Sequence, residues 1–383
     1  MSVPACIIYR YGTRYQYRYS LLSSFHTVYC MPYILTIHNT GSLPDLVPYV
    51  ELTWSTRSEH KNVSTVHKNM VGKKQMVMAP SENNVMITMV AILGTMLAIL
   101  AGLVTIQTPQ NGSDSRFLPS PNRQPSKYAF EMFALAYTPI WIFCFGVIIV
   151  GQMYERFDAF AYNAVCGGLA LPLVLQPIFF PSAGFGSPDE SRSLFKRFST
   201  KANLWIAIYS FIGNYWYTHY FFTVLKAKYT MPAVRLNNVP ICMFFATHFY
   251  FSTYHVFSNI LLRKVITSYE AGVRRTVLFV GVVTVFSYFT AFMETLTISS
   301  FPYYSFEDQD MAYTIGSAFY AIYFLVSFPA FFFFDDDVDF KSAKPMSILD
   351  TVVSSCGYGM MILCFLDFVR LYLAIPLTIE LST

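Results

Sequence analysis

From residue 86 onward the chain is a succession of apolar runs separated by short polar segments. Eight such runs stand out, at about 86–106, 130–152, 159–180, 202–225, 239–262, 276–299, 312–334 and 347–369. Each approaches the roughly 20 residues that a helix needs to cross the hydrocarbon of a bilayer. None shows the strict alternation of polar and apolar positions that marks the strands of an outer-membrane barrel. The pattern predicts an all-α polytopic membrane protein, with eight transmembrane helices in one bundle over residues 85–383. Residues 1–84 carry no long apolar run. They begin with Arg10, Arg14 and Arg18, have no acidic residue before Asp45, and are read as a poorly ordered N-terminal extension. A basic, acid-free start is also compatible with a transit peptide or with translation starting further along, at Met70, Met76, Met78 or Met86.

The runs are not alike. The first is purely apolar and reads as an anchor facing lipid. The second holds Pro139 and the third Pro172 and Pro177, which membrane helices tolerate when neighbours satisfy the freed carbonyls. The fourth and fifth form a helical hairpin, residues 201–263, with polar groups inside the apolar sequence: Asn214, His219, His248, His255 and Asn259. A polar or ionisable side chain at that depth is costly and usually faces a protein interior or a working site. Helical periodicity places His248, Ser252, His255 and Asn259 on one stripe, and Asn203, Ser210, Asn214 and Thr218 on another. In the sixth run Thr284, Ser287, Ala291 and Glu294 follow the same period.

Depth narrows the candidates. Successive spans run antiparallel, so His219 near the end of the fourth, His248 near the start of the fifth and Glu294 near the end of the sixth all fall roughly 9–13 Å from one membrane face. Asp367 approaches that face as well, and His255 lies deeper. A buried Ser or Thr stripe is most often interhelical glue, and a membrane histidine can simply bond a backbone carbonyl. Three histidines and a carboxylate in one layer are harder to assign to packing alone. Asp367 with Arg370 reads as an ion pair at the interface.

Composition bears the class out. Only 13% of the 383 residues are charged and 54% are hydrophobic, against about 25% charged in a soluble domain. The net charge of +4 is too small to point to nucleic acid. The loops after runs one, three, five and seven carry 3, 4, 4 and 2 Lys or Arg, those after two, four and six carry 1, 3 and 0, which places the first set in the cytoplasm. The seven cysteines include no C-x-x-C pair, so no metal site is expected. No phosphate-binding or dinucleotide motif occurs, so no nucleotide cofactor is expected.

The segments KANLWIAIYSFIGNYWYTHYFF, KYTMPAVRLNNVP, THFYFSTYHVFSNILLR, ETLTISSFPYYSFED and FYAIYFLVSFPAFF, in order between about Lys127 and Arg370, resemble the cycloeucalenol cycloisomerase family, the cyclopropyl sterol isomerases. The resemblance implies a sterol-biosynthetic enzyme of the endoplasmic reticulum membrane. It would open the 9β,19-cyclopropane ring of cycloeucalenol to give obtusifoliol, without a cofactor, with a sterol and the bilayer as its partners. Ring opening needs a proton at C19 and loss of one from C8. The residues expected to carry it are Glu294 or His219 as donor, with His248 orienting the donor or taking the C8 proton. Tyr215, Trp216 and Tyr217 would line the pocket beside His219, and Asn214, Tyr217, His255 and Asn259 would shape it or hold the 3-hydroxyl. Three other functions compete. A proton-coupled transporter would favour internal repeats, which are not visible. A membrane cytochrome would use His219 and His248 as haem ligands. A non-catalytic sterol-binding protein would hold the sterol unchanged.

Overall fold

The computed structural model describes residues 7–11, 14–18, 35–36, 51–52, 82–112, 115–224, 226–299, 301–307, 312–340, 344–372 and 374. Most of the expected N-terminal extension, with Cys6, Cys30 and the later candidate start methionines Met70, Met76 and Met78, lies outside them. The chain divides into two compact units, Met1–Met78 and Ala79–Thr383. In the first, β1 (Ile7–Tyr11) pairs antiparallel with β2 (Arg14–Arg18), and β3 (Leu35–Thr36) with β4 (Glu51–Leu52).

The second unit is a helical bundle. Its elements in order are α1 (Glu82–Thr105), α2 (Pro125–Val150), α3 (Ala159–Phe179), α4 (Phe198–Ile212), a π-helical turn (Gly213–Tyr217), α5 (Thr218–Val224), β5 (Lys228–Tyr229), β6 (Arg235–Leu236), β7 (Val239–Pro240), α6 (Ile241–Ser268), α7 (Val273–Ser299), β8 (Tyr304–Ser305), a second π turn (Ala312–Gly316), α8 (Ser317–Phe332) and α9 (Ile348–Tyr372). Among the described residues six helical segments are long and apolar enough to cross a membrane: Ile87–Thr105, Pro125–Val150, Ala159–Phe179, Val273–Ile298, Ala312–Phe332 and Ile348–Tyr372. The protein is therefore an integral multi-pass membrane protein, but the expected count of eight is not reproduced. The two runs that fall short are those of the central hairpin. One is diluted by Asn203, Asn214 and His219, and the other, α6, by His248, His255, Asn259, Arg263 and Lys264.

The core is aromatic and lies between α4, α6 and α8. Trp205 and Tyr209 of α4, Phe249 of α6 and Phe324, Phe328 and Phe331 of α8 are all within 1% of full burial. Apolar burial gives little drive between helices already in lipid, so close packing and hydrogen bonds carry this association. α1 is exposed along most of its length and packs on α7, through Val85 and Met89 against Phe292 and through Leu100 and Leu103 at Gly281.

The two ends of the bundle are built differently. At one end charged side chains are paired in the interior. Glu131 takes a bidentate contact from Arg263 at 2.7 and 2.8 Å and a third bond from Asn259 at 2.8 Å. Lys127 donates to the Phe332 carbonyl at 2.6 Å and to Asp336 at 2.8 Å. Lys201 pairs with Asp335, and Arg192 bridges Asp189 and Asp339 at 3.0 Å each. Asp189 also accepts from the backbone N–H groups of Phe198 and Ser199, where a negative charge favours the start of α4. The acidic run after α8 is thus a strap that ties α2, α4 and α8 together.

At the other end the connections are short strands. β5 pairs with β8, which joins the loop after α5 to the loop after α7 on one face, as the sequence pattern placed them. β6 and β7 form a hairpin whose turn residues Asn237 and Asn238 have φ of 53° and 62°. Two positive φ values define the turn that matches strand twist, and asparagine adopts them more readily than other side chains.

Candidate functional site

Beneath the β5–β8 pair lies a cavity. It is bordered by Gly213 and Asn214 of the first π turn, Thr218, Tyr220 and Phe221 of α5, Met243, Thr247 and Phe251 of α6, Glu294, Thr295 and Ile298 of α7, and Gly316, Phe319, Tyr320 and Tyr323 around the second π turn and α8. Tyr229, Tyr304 and Phe306 close it from the loops. With its open mouth it spans about 840 Å³ of atom-free space. It is a narrow, aromatic slot. Both π turns border it, and such turns in membrane and soluble helices recur at functional sites because they free carbonyls and re-aim side chains. The first does so here. The freed carbonyl of Tyr215 accepts from the Asn237 amide, and that of Tyr217 accepts from the Tyr323 hydroxyl at 3.1 Å.

Glu294 is the carboxylate of this cavity among the described residues. Tyr254 of α6 and Tyr320 of α8 lie beside its carboxyl group, whose Oε2 is buried without a hydrogen-bond partner among the described residues. Asn214 also borders the slot. Its amide donates to the Ser210 carbonyl at 2.8 Å and to Thr247 Oγ1 at 2.7 Å, which forms a small polar patch on α4 and α6. In the loops, burial pushes the phenols of Tyr229 and Tyr304 above their ordinary range, so both remain neutral walls of the cavity, and Tyr304 donates to Met243 Sδ at 3.5 Å.

The histidines are placed elsewhere. His219 Nε2 accepts from the Asn237 amide at 2.8 Å, which seats the β6–β7 turn on the end of the α4–α5 rod. His248 Nε2 lies 3.2 Å from Asn203 Oδ1, near the start of α4, so its ring reaches deeper than its position along α6 implied. His255 is fully buried among Trp205, Tyr209, Phe328 and Phe331. Its Nδ1 bonds the Phe251 carbonyl at 2.7 Å and its Nε2 meets Ser327 Oγ at 3.0 Å. A carbonyl can only accept, so Nδ1 carries the proton and Nε2 takes the Ser327 hydroxyl. Asn259 belongs to the Glu131–Arg263 pair at the opposite end. Of the aromatic trio, Trp216 is half-exposed, Tyr215 stacks on Phe211 at 5.5 Å, and Tyr217 is buried with its hydroxyl on the Gly359 carbonyl at 2.7 Å. Asp367 pairs with Arg370 at 3.1 Å and accepts from Tyr220 at 2.9 Å.

The structure therefore brings Glu294 and Asn214 to one cavity, with the π turn that contains Tyr215, Trp216 and Tyr217 along its edge. It does not bring His219, His248, His255 or Asn259 to that cavity. Helical phase explains the split. Met243, Thr247, Phe251 and Tyr254 form a stripe on α6 one residue ahead of His248, Ser252, His255 and Asn259, and one residue is about 100° of rotation. The polar stripe meets protein partners and the mixed stripe meets the cavity. A Thr and a Tyr at i and i+7 on the hairpin helix were the available signal for this face.

No family model and no solved structure matches the chain. It is 40% identical over 252 residues to the cycloeucalenol cycloisomerase of Arabidopsis thaliana, an alignment that covers 65% of this chain and 87% of the plant protein. On identity of that level across most of the relative's length, the chain belongs to the cycloeucalenol cycloisomerase family and is an isomerase.

Proposed function

We propose that this protein opens the 9β,19-cyclopropane ring of a cyclopropyl sterol, cycloeucalenol to obtusifoliol, with Glu294 as the acid. A proton from the Glu294 carboxyl adds to C19 as the C9–C19 bond breaks, leaving positive charge at C9. The Glu294 carboxylate left by that step then takes the C8 proton, which forms the C8=C9 double bond and restores the acid. The atoms balance without oxidant or reductant, so the reaction calls for neither. A strained carbon–carbon bond is a poor base, and the acid has to be held in place with water excluded. The faces of Phe251, Tyr320 and Tyr323 surround the slot and favour a passing cation. Asn214 and Thr247 offer the polar patch for the 3-hydroxyl. The work of His219, His248, His255 and Asn259 on this reading is to hold the framework, and that of Tyr215, Trp216 and Tyr217 is to shape the slot's edge. Residence in the endoplasmic reticulum membrane belongs to the same proposal and rests on the family alone.

The observation that carries the proposal is the cavity-bordering carboxyl with one buried oxygen left without a partner. In a sterol-fed host lacking its own isomerase, the protein should convert cycloeucalenol to the Δ8 product, and Glu294→Gln should not. Unchanged cycloeucalenol bound to the wild-type protein would instead identify a sterol carrier.

A further inference from the structure

Two glycines border the slot, Gly213 at the start of the first π turn and Gly316 at the end of the second. Neither is required by its backbone. Gly213 has φ −56° and ψ −51° and Gly316 has φ −60° and ψ −45°, which any residue adopts in a helix. A glycine in that conformation costs stability relative to alanine. Elsewhere in the bundle protein packing accounts for the cost. A Cβ added at Gly359 would lie 2.8 Å from Ile212 Cδ1, and one added at Gly281 would lie 3.0 Å from Leu100 Cδ2. Gly213 has no such close neighbour among the described residues. Its Cβ would meet Phe251 Cε2 at 3.7 Å and Tyr217 Cδ2 at 3.8 Å, which are ordinary contacts. Phe251 itself borders the slot, so the space left by the missing side chain belongs to the slot.

We infer that Gly213 is a specificity-determining residue, whose missing side chain makes room for a methyl group at C4 on ring A of the sterol. The inference rests on the reading of this protein as a sterol isomerase with Asn214 at the 3-hydroxyl. Both amide hydrogens of Asn214 are committed, to the Ser210 carbonyl and to Thr247 Oγ1, so its oxygen is the group left to accept that hydroxyl. Gly213 is the next residue along the same wall, and successive Cα atoms are about 3.8 Å apart. In the sterol, C4 is bonded to the carbon that bears the hydroxyl, and it is the ring A position where sterol precursors carry methyl groups. A hydroxyl held at Asn214 therefore sets C4 beside Gly213. An alanine there would place its own methyl in the space that the substrate's methyl needs.

The test compares kcat/KM of purified full-length protein for a 4α-methyl cyclopropyl sterol and its 4-desmethyl counterpart. The wild-type protein should turn over the 4α-methyl sterol at least as well as the other. Gly213→Ala should lower kcat/KM for the 4α-methyl sterol by about 10-fold to 200-fold, the scale of one misfitted carbon, and leave the 4-desmethyl sterol within about 2-fold. Its thermal midpoint in detergent should rise by about 2 °C as the helix gains an alanine. Gly168→Ala is the control, exposed on α3 with no described protein atom within 4 Å of the added Cβ. It should raise the midpoint to a similar extent and leave the selectivity alone. An equal loss on both sterols in Gly213→Ala, or failure of that variant to fold, would make Gly213 a packing glycine and overturn the inference. So would a wild-type protein that converts only the 4-desmethyl sterol. Conversion of neither sterol by the wild-type protein would instead overturn the isomerase reading beneath it.

Discussion

The two ends of the bundle hold buried ionisable groups in opposite conditions. At the strap end every principal charge has its counter-charge: Glu131 with Arg263, Lys127 with Asp336, Lys201 with Asp335, Arg192 with Asp189 and Asp339. At the cavity end the phenols of Tyr254 and Tyr320 lie beside Glu294, and among the described residues it has no cation beside it and one oxygen without a partner. A saturated network resists change, since losing one partner strands the other as an uncompensated charge. A carboxyl with unsatisfied valence beside a cavity stores that cost until a substrate meets it. The contrast separates polar residues that hold this fold from the one best placed to do chemistry.

The largest expected effect comes from the cavity end. Glu294→Gln keeps shape and removes the acid, and should lower turnover by about 10²-fold to 10⁴-fold, the range for losing a general acid, with thermal stability in detergent unchanged. Conversion assays beside a melting curve check both halves. At the strap end the signs reverse. Glu131→Gln or Lys201→Met should destabilise the bundle by about 3–5 kcal/mol and lower the yield of folded protein, while the molecules that fold retain their kcat. A strap variant that melts normally but fails to turn over would erase the distinction between the ends. A smaller effect is expected at Asn214. Its loss in Asn214→Ala should raise KM for the sterol by about 5-fold, equivalent to one hydrogen bond of about 1 kcal/mol, and a 3-deoxy substrate should be insensitive to the change. The smallest is expected for His219→Ala and His248→Gln, which break bonds to Asn237 and Asn203 away from the slot. Turnover within about 3-fold of wild type is anticipated from the loss of one such bond; a loss on the scale of Glu294→Gln in either would return the histidines to the reaction.

What was legible in the sequence was whatever a single helix decides. Run length and low charge established a polytopic helical membrane protein, because hydrocarbon demands about 20 apolar residues and satisfied backbones whatever the neighbours are. Alternation of the spans placed the loops after α5 and α7 on one face, where β5 and β8 do pair. The segments with family likeness pointed to the cycloeucalenol cycloisomerases, and depth along the spans grouped Glu294 with His219 and His248.

Only the tertiary structure decided which polar side chains find protein partners and which meet empty space. Both His255 and Asn259 lie on the same stripe as His248, yet the first is sealed among four aromatic rings and the second is bound to a salt bridge at the far end. The π turns shift the phase of α4–α5 and of α8, and no local pattern announces an extra residue in a turn. The strap's acidic run and the basic residues of α2, α4 and α6 are far apart in the chain, and their pairing depends on which helices become neighbours. Apolar length is a property of one segment and can be read from it. Hydrogen-bond saturation is a property of pairs, and pairs exist only once the bundle has closed.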